Sequence, residues 1–166
     1  MKSFLIPLVL FVSLLFSCSP SDEDANLFES SKIEEVSINV VYSDIETEIL
    51  NLVNKYRETN SLSTLKVLNI ISKEADTHTN YMITNGEVSH ANFNIRAQNL
   101  IKNAGAKFVS ENVAYGYSSA QTVVNGWINS SEHRKNIENP DSTHFGISTE
   151  SDDNGRNYFT HIFIKK

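Results

Sequence analysis

Cysteine is nearly absent from this 166-residue chain: there is one, Cys18. A disulfide framework and any multi-cysteine zinc or iron–sulfur site are therefore excluded. Glycine (6) and proline (3) are scarce, which rules out collagen-like and low-complexity classes. Basic residues are outnumbered, 14 against 20 acids, so nucleic acid is not expected as a partner. The chain has no Gly-x-Ser-x-Gly, His-Glu-x-x-His, P-loop or Gly-x-Gly-x-x-Gly motif. It also lacks an apolar run long enough to span a bilayer. Phe4 to Phe16 is apolar apart from Pro7 and Ser13. As a helix it reaches about 20 Å, short of the roughly 30 Å hydrocarbon core.

That run, preceded by Lys2, reads as the apolar region of an export signal over residues 1–17. It ends in Leu15-Phe16-Ser17-Cys18, which resembles a bacterial lipobox. Cys18 is thus expected to be lipidated, which would make the membrane a partner and place the chain in the cell envelope, at the cell surface if the acidic Ser21-Asp22-Glu23-Asp24 acts as an export signal. Residues 18–43 carry six acids (Asp22, Glu23, Asp24, Glu29, Glu34, Glu35) against Lys32 alone. They read as a tether, with Ile38 to Tyr42 able to lie extended along the domain.

The domain proper is expected over 44–166, nearly neutral with fourteen acids and twelve bases. Asp44 is a plausible N-cap for a helix through Ile45, Ile49, Leu52, Val53 and Tyr56. A second helix is expected to carry Leu65, Leu68, Ile71, Ala75, His78 and Met82 on one face, stopped by Asn85-Gly86. Residues 87–92 read as a loop. A third helix over 94–104 closes at Gly105. Lys107 to Tyr115 reads as a strand, and Ser118 or Ser119 caps a fourth helix through Trp127. A helical turn over 131–137 follows. Two alternating segments, His144–Glu150 and Asn157–Ile164, flank the hairpin turn Asp152-Asp153-Asn154-Gly155. Helices before an antiparallel pair indicate an α+β fold.

Five histidines carry the candidate chemistry. His78 sits on a core stripe and reads as structural. His90 lies in a loop, where a side chain can point into a cleft. Glu111 interrupts an apolar strand, so it either faces water or has a partner; a carboxylate there can orient a histidine. Ser130 can cap the turn that holds Glu132 and His133, and a first-turn position favours a neutral His133. His144 and His161 read as strand residues without a special role.

The order of motifs resembles the CAP superfamily (cysteine-rich secretory proteins, antigen 5 and pathogenesis-related proteins; the SCP domain). It runs Asn54-x-x-Arg57, Leu65, Ala75-x-x-His78-x-x-x-Met82, Ser89-His90, Arg96 and Gly105. Then come Glu111-Asn112-Val113-Ala114, Gly116, Trp127-x-x-Ser130-x-x-His133-Arg134-x-x-Ile137-x-x-Pro140, Gly146 and Tyr158-Phe159-Thr160. The resemblance implies a three-layer α-β-α sandwich around a mainly antiparallel sheet. It also implies a cleft which, in eukaryotic members, holds two histidines and two glutamates. His90 and Glu111 match the first of each; Ser130 stands where the second glutamate would fall, and the second histidine has no clear match, though His133 is a positional candidate. The implied function is binding of a lipid, glycan or protein partner through His90, Glu111, Ser130 and His133. One alternative is hydrolysis by His90, Glu111 and His133, assisted by a divalent metal such as zinc on His90 and His133. The other is a structural cleft without ligand.

Overall fold

A computed structural model describes residues 38–166. The expected signal segment, Cys18 and the acidic part of the tether lie outside the described residues.

Helix α1 (Asp44–Thr59) has its cap one residue earlier than expected. Ser43, not Asp44, is the N-cap: its hydroxyl accepts from the Glu46 N–H, and the Glu46 carboxylate accepts the Ser43 N–H at 2.8 Å. The same carboxylate also accepts the Thr149 N–H at 2.8 Å, fastening the helix start to the sheet.

The expected second helix begins late. Lys66–Val67 is a short strand, β1, and α2 is Asn69–Asn85. Tertiary pairing overrides the helical spacing of Leu65 and Leu68. Lys66 N–H donates to Thr143 O at 3.0 Å and Leu68 N–H to Phe145 O at 3.1 Å. The Asn54 amide clamps both the N–H and the C=O of Leu65. Leu65 is still buried, but from an extended segment.

Helix α3 (Phe93–Ala104) ends at Gly105, whose φ of 70° provides the left-handed closure expected there. Strand β2 is Phe108–Tyr115, α4 is Ala120–Asn129 capped by Ser119, and α5 is Ser131–Glu138. Strands β3 (His144–Ser151) and β4 (Asn157–Lys165) form the expected hairpin.

The four strands lie in the order β1-β3-β4-β2. β1 pairs parallel with β3; the other two pairings are antiparallel. Side-chain alternation divides the sheet into two faces. Val109, Ile162 and Ile164 pack with Ile71, Ala75 and Leu100 of α2 and α3. Ala114, Ile147, Phe159 and Phe163 pack with residues of α1, α4 and α5, Trp127 included. This is the α-β-α sandwich. Helix α2 sits close on β3: a Cβ on Gly146 would fall 2.5 Å from Ser72 N.

Two motif residues have purely internal partners, Asn54 on Leu65 and Arg57 on the end of α5. Arg57, wholly buried, donates to the carbonyls of Ser63, Ile137 and Asn139. Residues 38–43 form no strand, but they pack on the domain. Tyr42 Oη donates to Asn69 Oδ1 at 3.0 Å and lies 2.8 Å from Ser72 Oγ, while the Asn69 amide donates to Ile38 O at 2.7 Å. No helix among the described residues is long and apolar enough to cross a membrane.

Candidate functional site

The site forms along β2, an edge strand of the sheet. Glu111 points to the α2–α3 face, and three cationic or imidazole side chains from that face converge on it. Arg96 of α3 grips the carboxylate with both ends of its fork: Nε to Oε2 and Nη2 to Oε1, each 2.8 Å. Its remaining Nη1 donates to Ala91 O at 2.7 Å. His90 Nδ1 donates to Glu111 Oε1 at 2.9 Å. His78 Nε2 lies 3.9 Å from the same oxygen but donates to Ser89 O at 2.7 Å.

Arg96 and Glu111 are both buried, and the pair explains how. Burial by itself would raise the Glu111 carboxyl. The His90 and Arg96 hydrogen bonds and the Arg96 charge outweigh it and hold the group below its ordinary value. A carboxylate so held is a weak base. It fixes the His90 ring through Nδ1–H and leaves Nε2 as the free position. The His90 side chain is 53% exposed, so that position meets solvent. His78 is pushed down chiefly by burial and stays neutral.

Beside this cluster opens a cavity of about 290 Å³, lined by His90, Phe93, Val109, Ser110 and Glu111. Its volume is near the lower end of small-molecule pockets, roughly 300–1,000 Å³. Its walls are mostly apolar, with His90 as the accessible polar group.

The other expected site residues are arranged differently. His133 is the third residue of α5, as expected, and its imidazole is pushed down by burial first and by the His90 charge second. It therefore lies within electrostatic reach of His90. It makes no bond to Glu111, however: its carbonyl accepts from the Asn112 amide at 3.1 Å, and its Nδ1 is buried without a partner among the described residues. Ser130 joins α4 to α5 through its backbone, and its side chain makes no capping hydrogen bond. The zinc expectation on His90 and His133 does not fit the donor set. Both Glu111 oxygens are taken by Arg96, and the described residues contain no group of three His, Cys, Asp or Glu able to hold a metal. Ser110 is the one hydroxyl lining the cavity, and its Oγ bonds neither histidine, so no nucleophile–base pair is formed.

The structure brings His90 and Glu111 together; sequence reasoning left Arg96 without a role. A signal was available. Arg96, Leu100 and Ala104 share the buried face of α3, and a buried arginine needs an acceptor. Glu111 is the strand carboxylate that needs a partner.

The chain is similar to an uncharacterised membrane protein of Bacillus subtilis, YlbC: 28% identical over 143 residues, covering 84% of this chain and 40% of that protein. It spans about two fifths of the length of the curated relatives it matches. Among solved structures, it resembles an extracellular SCP-domain protein of Bacillus anthracis (27% identity, TM-score 0.65, covering 73% of this chain and 40% of that one). An outer surface protein of Borrelia burgdorferi shares the fold at 20% identity, with a TM-score of 0.66 over 75% of this chain and 96% of that one. The model of the CAP family, the cysteine-rich secretory proteins, matches residues 50–163, from within α1 almost to the end of β4, and the chain belongs to that family.

Proposed function

We propose that this is an exported, envelope-anchored binding module whose site is the His90 cavity. Its ligand is a small amphiphile of the lipid class, with an apolar body against Phe93 and Val109 and a polar group on His90 Nε2. The observation that carries this reading is the Arg96–Glu111–His90 relay at the mouth of a largely apolar cavity. Arg96 satisfies the carboxylate, and the carboxylate orients the imidazole. The arrangement positions one hydrogen-bonding nitrogen without building a strong base or a nucleophile. This favours binding over hydrolysis.

Export and anchoring through Cys18 rest on the apolar segment that ends at the chain's single cysteine. The names of relatives agree in kind: one is called a membrane protein and another an extracellular protein.

Calorimetric titration of the full chain with octan-1-ol, whose hydroxyl can donate to the unprotonated Nε2, tests the site. Saturable binding that is lost in His90→Ala and retained in His144→Ala is expected. Absence of saturable heat, or equal binding by both variants, would remove the cavity from consideration.

A further inference from the structure

On the other side of the Arg96–Glu111 pair lies a second concavity, a groove of about 260 Å³ between α2 and α3. Helical spacing builds it. His78 and Tyr81 are three apart on α2; Asn92, Ile95, Arg96 and Asn99 follow at i, i+3, i+4 and i+7 from the α3 N-cap. Stripes at this spacing normally close a helix pair with apolar contacts. Here the stripes are mostly polar, and the two large apolar members are left open: Ile95 is 58% exposed and Tyr81 37%.

Apart from the Glu74 carboxylate, which also lines the groove, and the paired Arg96, the polar groups are neutral. Asn92 has φ of 59°, and its amide makes no capping hydrogen bond, unlike an ordinary N-cap asparagine. Asn99 has only a long 3.4 Å link to Glu74. His78 gives its Nε2 proton to Ser89 O, which leaves Nδ1 as an acceptor; that atom is buried and without a partner among the described residues. The Arg96 charge is neutralised by Glu111. A phosphate or sulfate would therefore find no free cation on this face of the pair.

An exposed aromatic ring, paired amides and an unpartnered acceptor, without a free positive charge, are complementary to a ring that carries both C–H and O–H faces. We propose that the α2–α3 groove binds one ring of a neutral saccharide. The ring lies against Tyr81, its hydroxyls exchange hydrogen bonds with the Asn92 and Asn99 amides, and Ile95 supplies a second apolar wall for an N-acetyl methyl. This site is separate from the His90 cavity and does not depend on what occupies it.

The test is calorimetric titration of the full chain with chitotriose, a neutral N-acetylated trisaccharide. The expected result is saturable binding, weakened by about tenfold or more in Tyr81→Ala and in Asn92→Gly. Asn92→Gly removes the amide while preserving the left-handed backbone. His90→Ala should bind as wild type does. No saturable binding, or binding indifferent to both groove variants, overturns the proposal. Binding lost in His90→Ala and kept in the groove variants also overturns it, and moves the saccharide to the His90 cavity. Circular dichroism confirms that each variant is folded.

Discussion

His161 is the residue whose environment departs furthest from its chemistry. It is fully buried at the centre of the sheet, among the rings of Trp127, Phe145 and Phe163, and neither ring nitrogen has a partner among the described residues. Burial pushes its pKa down to about 3. Above about pH 6.5 the imidazole is neutral both folded and unfolded, and its contribution to stability is full. Below that pH only the unfolded chain takes up the proton. Stability then falls by about 1.4 kcal/mol per pH unit towards pH 3. Replacing His161 with Phe should flatten this part of the pH–stability curve. It should also raise stability at pH 7 by about 1 kcal/mol, because two unsatisfied polar atoms are removed. Urea unfolding between pH 4 and 7 measures both effects; unchanged pH dependence would mean that the ring is hydrated or paired in solution. At this scale the sequence was partly legible. A charged residue inside Phe108–Tyr115 marked Glu111 as needing a partner, and a loop position marked His90. Spacing put Arg96 on the buried face of α3 as a side chain in need of an acceptor, but it could not pair Arg96 with Glu111 or bring His78 beside the carboxylate, because they meet Glu111 across 15 and 33 positions of chain only when α2 and α3 pack on β2.

Among the elements, the helices were readable wherever local periodicity and caps decided the outcome. Gly105 ended α3 and Ser119 began α4 as expected. Strand β1 was not readable, since two residues paired to β3 carry no period of their own and their conformation is set by partners far along the chain. The segment before α1 is similar: its composition suggests a tether, while its attachment depends on Asn69 and Ser72. A chain beginning at Asp44 loses the Ser43 cap, worth about 1 kcal/mol, and the Tyr42 hydrogen bonds, about 1 kcal/mol each. It should therefore be less stable than a chain beginning at Ile38 by more than about 2 kcal/mol. Tyr42→Phe alone, which removes both bonds, should cost about 2 kcal/mol. Chemical denaturation of the three proteins decides this, and equal midpoints would show that residues 38–43 contribute nothing to the fold.

At the scale of the sandwich, the candidate site lies at the β2 edge, where no further strand among the described residues pairs with the sheet. An edge needs protection against pairing with other chains. α5 covers part of this one: the Asn136 amide donates to Glu111 O at 3.1 Å and to Asn112 Oδ1 at 2.8 Å. The edge that presents the site is thus also the edge that α5 braces. The proposed anchor belongs to this scale. Multiple acylation of Cys18 would hold the module stably at a membrane, whereas a single chain gives only marginal binding. Cys18→Ser should move the protein from the membrane fraction to the soluble fraction; unchanged partitioning would contradict lipid anchoring.

The account turns on Glu111 fixing the orientation and proton of His90, and nitrogen-15 NMR of the imidazole rings at neutral pH observes this directly. His90 in its neutral form should carry its proton on Nδ1, with an unprotonated Nε2 facing the cavity. Glu111→Ala, which removes the acceptor of the Nδ1 proton, should return the ring to a mixture of tautomers. A wild-type His90 with its proton on Nε2, or one averaging freely between the two nitrogens, would contradict the account.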